Sequence, residues 1–199
     1  NHERFVAESL NSVLNQTYKN IELIIADDCS PDQSKQTIQS WLKKHSDIRF
    51  ISNETNLGNT KTFNKALQFA KGDYIIDLAA DDILLPDCVE KQINTFLSSE
   101  LNNLGIVYGN AEIISENNTH ISYYYEVNTE KKTLKKPVSG DIYLAMLSQS
   151  SMICSVSSMV KRDVLKQLNG YDENLAYEDL DLWIRASRNY KFEFIDSVL

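Results

Sequence analysis

The chain has 199 residues, 42% apolar and 24% charged, with a net charge of −8 at pH 7. That length and balance suit one soluble globular domain able to bury a full core. The acidic surplus argues against a basic nucleic-acid-binding face, so no nucleic acid is expected as a partner. The three cysteines, Cys29, Cys88 and Cys154, have neither the even number of a disulfide framework nor zinc-ligand spacing, which points to a reducing compartment. No apolar run is long enough to span a bilayer, and the N-terminus does not read as a signal peptide.

In chain order, Val6, Leu10, Val13 and Leu14 recur at helical spacing within residues 5–15. Residues 21–26 (Ile-Glu-Leu-Ile-Ile-Ala) form a short, nearly continuous apolar strand, as a sheet covered on both faces requires. It ends in Asp27-Asp28-Cys29-Ser30-Pro31-Asp32. Residues 34–44 predict a helix with Ile38, Trp41 and Leu42 on one face, and residues 48–51 another strand. Asn56-Leu57-Gly58-Asn59 is a turn. Residues 60–70 follow as a helix with Phe63, Ala66, Leu67 and Ala70 on one side, closed by Gly72-Asp73. Residues 74–78 predict a buried strand that runs into Ala79-Ala80-Asp81-Asp82. Pro86 then opens a helix that buries Val89, Ile93, Phe96 and Leu97, and residues 105–111 are a strand. Strands alternating with helices imply right-handed crossovers and a mainly parallel central sheet flanked by helices, which a further strand ahead of Phe5 would complete.

The second part is less regular. Residues 112–138 are polar, with Tyr123-Tyr124-Tyr125 and the doublets Lys131-Lys132 and Lys135-Lys136, and read as a hairpin or flexible excursion over the sheet. A short helix at 142–147, a strand at 155–160 and a helical turn or two at 164–168 follow, stopped by Asn169-Gly170-Tyr171. Tyr177-Glu178-Asp179-Leu180-Asp181 opens a last helix holding Trp183 and Ile184, and residues 192–195 are a strand. One domain over residues 1–199 is expected, with functional halves at 1–111 and 112–199 and both ends cut from a longer protein.

The chain has no Gly-x-Gly-x-x-Gly loop, Walker loop or Gly-x-Ser-x-Gly elbow, and none of His2, His45 and His120 sits near a plausible triad. Carboxylates remain: Asp27-Asp28, Asp81-Asp82 and Glu178-Asp179 with Asp181. Paired acids at the carboxyl end of an apolar strand are costly unless a cation or polar ligand meets them. Open α/β sheets place their ligands at that rim. Mg²⁺ or Mn²⁺ takes carboxylate oxygens and keeps positions open for substrate phosphates. A separate carboxylate then serves as general base toward a hydroxyl nucleophile. A Lewis acid on a departing diphosphate plus a carboxylate base is what moving a sugar off a nucleotide requires.

Each cluster has a plain structural alternative. Asp27-Asp28 caps a turn, Asp81-Asp82 are acids ahead of a helix, and Glu178-Asp179 are helix-start acids, with Asp181 the fallback base. Trp183 reads as core rather than a sugar platform, and the tyrosine run as exposed strand or loop rather than an acceptor site. The lysine doublets read as a solvated face, or one lying against anionic lipid or a glycan carrier.

Five segments, taken in order, resemble the family-2 inverting glycosyltransferases of the GT-A fold. They are Glu8-Ser9-Leu10 with Ser12-Val13-Leu14-Asn15-Gln16-Thr17-Tyr18; Asp27-Asp28-Cys29-Ser30-Pro31-Asp32; Asn56-Leu57-Gly58 with Asn64; Ala79-Ala80-Asp81-Asp82 with Pro86; and Gly170-Tyr171-Asp172-Glu173 with Glu178-Asp179-Leu180-Asp181-Leu182. The resemblance implies a Rossmann-like nucleotide-diphospho-sugar transferase fold and, by position, roles. Asp28, or Asp27 in its place, would contact the nucleoside. Asp81 and Asp82 would divide ribose contact and metal binding. Asp179 would be the catalytic base. The donor would be a nucleotide-diphosphate sugar, most simply a UDP-sugar, and the cofactor Mn²⁺ or Mg²⁺. The acceptor would be a glycan or lipid-linked hydroxyl, in bacterial-type polysaccharide synthesis. The implied location is cytoplasmic, at the inner face of the membrane if further segments associate peripherally.

The sequence departs from the family pattern at Ala79 (an Asp in many members), Phe63 (usually Arg) and Cys29 (a turn Gly). Ala79 and Phe63 motivate the alternative of a non-catalytic nucleotide- or glycan-binding module. A nucleotidyltransferase on a similar sheet would need a Gly-rich, Arg-containing loop that is not visible.

Overall fold

The structure is a computed structural model and describes residues 2–148, 152–175 and 177–199. Helix α1 (Val6–Leu14) leads into strand β1 (Ile24–Asp27), α2 (Ser34–Leu42), β2 (Arg49–Ser52), α3 (Asn59–Leu67), β3 (Tyr74–Ile75), α4 (Cys88–Ser98) and β4 (Leu104–Asn110). The hairpin β5 (Glu112–Ile114) and β6 (His120–Tyr123) follows, then α5 (Tyr143–Leu147) and a 3₁₀ turn at Ser155–Ser157. Strand β7 (Ser158–Lys161), α6 (Arg162–Gln167), α7 (Glu178–Ser187) and β8 (Lys191–Val198) complete the order.

The central sheet runs β3-β7-β4-β8, with β1-β2 as a separate parallel pair. Strand β4 is buried at every residue, because one face packs on α5, α6 and α7 and the other on α1 and α4. Ile106, Tyr108 and Phe192 point into the first layer with Leu182 and Trp183; Leu104, Val107 and Met159 point into the second with Val89 and Ile93. Each such buried apolar side chain stabilises the fold by about 1.5–3 kcal/mol. A third, smaller cluster of Val6, Leu10, Ile25 and Ile38 seats α1 and α2 on β1.

The expected parallel pairs are present at β1-β2 and β4-β8, but β7 runs antiparallel to both β3 and β4. It is reached through the hairpin and α5 rather than by a helical crossover, so no right-handed β-α-β unit fixes its direction. The strand expected over residues 155–160 starts three residues late. Ser157 Oγ donates to Gly109 O and Ser158 Oγ to Ser155 O, which turns this stretch into a 3₁₀ turn. The strand expected over residues 74–78 is paired only at Tyr74 and Ile75, opposite Lys161 and Val160. Leu97, expected in the core, is 74% exposed, because the inner stripe of α4 runs through Cys88, Val89, Gln92 and Ile93 instead.

Between β1 and β3 lies a groove of about 1000 Å³, walled by Leu23, Ile25, Ile76 and Leu78. Among the described residues no strand precedes α1, and none pairs with both of those edges. The polar excursion is pinned at its far end. Asp196 accepts from the Thr133 backbone and hydroxyl and sits 3.3 Å from Lys136 Nζ, while Lys132 Nζ donates to Asp196 O.

Candidate active site

The acidic turn after β3 is built from α1. Asp82 N–H donates to Ala79 O at 3.2 Å and closes a tight turn, and Ser9 Oγ donates to the same carbonyl at 3.2 Å. Leu84 N–H donates to Ser12 Oγ at 3.2 Å. Gln16, fully buried, donates to Leu85 O at 2.8 Å and accepts from Val89 N–H at 3.0 Å. Ser9 and Ser12 share the inward face of α1, and Gln16, just past its end, extends that polar row. All three belong to one motif of the sequence, but their purpose depends on partners about seventy residues away. The turn they hold presents Asp81 outward, 3.5 Å from His2 Nε2, and Asp82 inward. Burial and then repulsion from Asp81 push the Asp82 carboxyl up, with His2 opposing.

At the end of β1 the two acids diverge. The Asp28 carboxylate accepts from Asn53 Nδ2 and Leu57 N–H at 2.8 Å and from Gly58 N–H at 2.8 Å. Burial works against its charge, but the hydrogen bonds from Leu57, Asn53, Thr62 and Gly58 together hold it below the usual carboxylate range. Asp28 therefore braces the turn at residues 56–58. Asp27 is 4% exposed, and its Oδ2 has no partner among the described residues. Cys29 adopts φ +58°, the left-handed conformation a glycine would take at no cost, with Sγ on Glu54 O. Asp32 caps the next helix through Ser34 N–H.

The third cluster is brought in by a clamp. Asn64 on α3 accepts from Tyr171 N–H at 3.0 Å and donates to Tyr171 O at 2.9 Å, as a neighbouring strand would. Gly170 at φ +69° leaves room for it; a Cβ there would meet Asn64 Oδ1 at 2.1 Å. Arg185 donates to Leu168 O and Gly170 O and pairs with Asp181, which ties that acid into the clamp. Phe63, where the family pattern has Arg, packs on Tyr171 with the rings tilted by 47° and centroids 4.5 Å apart. Asn59 Nδ2 donates to Glu178 Oε1 at 2.8 Å, joining the start of α3 to the start of α7. Asp179 Oδ2 accepts from Ser155 Oγ at 2.7 Å. Asp82, Glu178 and Asp179 thus line one groove; Asp27, Asp28 and Asp81 do not line it, although their neighbours Ala26 and Ala80 do. Trp183 is core, at 3% exposure. The Tyr124 and Tyr125 hydroxyls donate to Ile153 O and Met152 O.

Asp77 belongs to none of the carboxylate pairs that stand out in the sequence. It faces the groove and accepts from Tyr171 Oη at 3.1 Å. Asp77 is open on its groove side, but the surrounding protein desolvates the carboxyl and, with Glu178 and Asp82 adding, pushes it up to about 6, against the Tyr171 hydrogen bond. Between about pH 4 and pH 6 the folded chain keeps a proton there that the unfolded chain has lost, so stability falls as pH rises through that window. Asp77→Asn is expected to raise Tm at neutral pH, with the gain fading toward about pH 4, as a melting series across that range would show. A gain equal at both ends would contradict the assignment.

No group of three or more metal-ligating side chains occurs among the described residues. The two adjacent carboxylates of the acidic turn nonetheless fit a hard divalent cation, since they are oxygen donors and burial together with the Asp81 charge already penalises the ionised Asp82. The remaining ligands would come from a substrate diphosphate.

A Rossmann-like sheet with helices on both faces and carboxylates of both halves on one rim is the GT-A form of nucleotide-sugar transferase. The chain belongs to glycosyl transferase family 2, whose family model matches residues 1–168. It is 33% identical over 200 residues to the uncharacterized glycosyltransferase MJ1057 of Methanocaldococcus jannaschii, covering 99% of this chain and 65% of that protein. It is 38% identical over 117 residues to the E. coli UDP-Glc:alpha-D-GlcNAc-diphosphoundecaprenol beta-1,3-glucosyltransferase WfgD, covering 59% of this chain and 44% of that one. The fold matches the mannosyltransferase PcManGT of Pyrobaculum calidifontis, solved with GDP-Man and Mn²⁺, with a TM-score of 0.70 at 17% identity, over 100% of this chain and 52% of that one. It matches S. aureus TarS in complex with UDP-GlcNAc equally, with a TM-score of 0.70 at 19% identity, over 98% of this chain and 53% of that one. The chain thus spans about two thirds or less of the length of these relatives.

Proposed function

We propose that this chain is the catalytic unit of a metal-dependent, inverting glycosyltransferase that moves a sugar from a UDP-sugar to a hydroxyl of a glycan or lipid-linked acceptor. The observation that carries this is the convergence of Asp82, from the donor half, and Glu178-Asp179, from the acceptor half, on one groove of a family-2 chain. Asp27 Oδ2, buried and without a partner among the described residues, is the free acceptor for a ribose hydroxyl or a base N–H. Asp28 acts one step behind it, shaping residues 56–58. Asp81 and Asp82 would hold Mn²⁺ or Mg²⁺ and the ribose between them. When bound, the cation neutralises charge on the departing diphosphate. Asp179 takes the proton of the acceptor hydroxyl; the oxygen attacks the anomeric carbon from the face opposite the diphosphate; and that bond breaks with its electron pair leaving on the phosphate oxygen. One displacement with one base inverts the anomeric configuration.

Residues 1–111 are proposed to serve the donor and 112–199 the acceptor. The three cysteines are free, which supports a reducing compartment, and no helix among the described residues is long and apolar enough to cross a membrane. Packing of Phe63 on Tyr171 favours this reading over a non-catalytic binding module, because that residue serves the clamp that delivers Asp179. The test is a melting panel of UDP, UDP-glucose, UDP-GlcNAc and GDP-mannose with and without Mn²⁺. A ligand at a hundredfold its Kd is expected to stabilise by about 2.7 kcal/mol, and only with metal. No shift with any nucleotide diphosphate in the presence of Mn²⁺ would sink the proposal.

A further inference from the structure

Asp179 lines the groove beside Glu178 at the start of α7, and its carboxylate is met by a side chain from a different element. Ser155 Oγ lies 2.7 Å from Asp179 Oδ2 and 3.2 Å from Trp183 Nε1. An indole N–H only donates, so Ser155 Oγ is the acceptor in the second contact. A carboxylate only accepts, so the serine hydrogen goes to Asp179. The chain of hydrogen bonds therefore has one direction, from Trp183 through Ser155 to Asp179, and each bond polarises the next.

Both ends of the chain are rigid. Asp179 and Trp183 are one turn apart on α7, so they present to the same side. Trp183 is 3% exposed and meets the Phe192 ring edge-on at 6.0 Å. Ser155 opens the 3₁₀ turn, where Ser158 Oγ donates to Ser155 O at 2.7 Å and Ser157 N–H donates to Cys154 O at 3.2 Å. Just upstream, Cys154 N–H donates to Tyr125 Oη at 3.1 Å, and Tyr124 Oη donates to Ile153 O. The tyrosine run thus supports the turn, the turn supports Ser155, and Ser155 meets the carboxylate. Leu180 N–H, at 2.7 Å, meets the other carboxylate oxygen.

We propose that Ser155, backed by Trp183, is a positioning residue that fixes the carboxylate of Asp179 for proton abstraction from the acceptor, a proposal that rests on Asp179 being the base. Ser155 does not touch the reacting atoms. It removes the rotational freedom of the group that does, and small misplacements of catalytic groups are expensive in rate.

The test measures release of UDP from UDP-glucose and UDP-GlcNAc by the full chain with Mn²⁺, where water takes the place of the acceptor. Ser155→Ala is expected to lower kcat roughly 10- to 100-fold with KM for the donor and UDP affinity within about twofold of wild type. Ser155→Thr, which keeps the hydroxyl, is expected to restore kcat to within about threefold. Trp183→Phe, which keeps the ring and loses the N–H, is expected to lower kcat about fivefold, with no further loss when added to Ser155→Ala. A wild-type kcat in Ser155→Ala overturns the proposal. So does a joint loss of kcat, KM and Tm that Ser155→Thr fails to rescue, which would mark a purely structural serine. Full activity in Asp179→Asn is a different outcome: it removes the base assignment itself, whatever Ser155→Ala shows.

Discussion

Asp179→Asn is expected to lower sugar transfer by about 10²–10⁴-fold, the range typical for loss of a general base, while the protein melts within a few degrees of wild type. The two halves of that expectation come from the same geometry. Asn keeps the volume and one carbonyl oxygen, so it still accepts from Leu180 N–H, while its NH2 group takes the place of the oxygen that met Ser155 Oγ, a hydroxyl that can turn to accept from it. It cannot take a proton at neutral pH, so the acceptor hydroxyl stays protonated. Glu178 is not a substitute, because its carboxylate is engaged by Asn59. Asp181 is not one either, held 2.6 Å from Arg185 Nη2 within the clamp. Turnover measured beside UDP binding with Mn²⁺ separates the effects, since binding is expected to survive. Transfer near the wild-type rate in Asp179→Asn would remove this residue as base.

Gln16→Leu is the largest expected loss of stability, about 2–4 kcal/mol. The replacement fills nearly the same volume with apolar atoms, so little packing is lost. What it removes is a carboxamide that answers Leu85 O and Val89 N–H at a site with no access to water. Each buried backbone group left without a partner costs about 1–3 kcal/mol. The loss falls on the segment between the acidic turn and α4, so metal-dependent nucleotide binding is expected to weaken along with stability. A urea series reads this as a lower midpoint at unchanged slope. A midpoint shift equivalent to less than about 0.5 kcal/mol would show that these groups find other partners.

These two residues illustrate how differently the site was legible. Asp179 could be found from its type and place: an acid at a helix start, in a chain with no other chemistry, in a motif with its neighbours. Gln16 could be quoted as part of a motif, but its purpose depends on residues about seventy positions away. Asp28 shows a third case. The resemblance singles it out, yet its carboxylate turns to the backbone of residues 57 and 58, and the carboxylate oxygen without a partner among the described residues at that strand end is on Asp27. Ser155 and Asp77 were invisible, because a serine in a polar stretch and an acid within an apolar strand carry no periodic signal.

By itself, the sequence determined the helices, the strands with continuous apolar runs, the α/β class and the set of acids at the strand ends. These follow from spacing and composition, which act within a dozen residues and need no knowledge of the partner. Only the tertiary structure decided that β7 runs antiparallel, that residues 155–157 leave the strand, that β3 stops at Ile75, and which oxygen of each acid is free. Strand direction, hydrogen-bond satisfaction and carboxylate orientation are properties of pairs of groups far apart in the chain. They are settled when α1 closes on the acidic turn and Asn64 closes on Tyr171, bringing the acids of the two halves to the same groove.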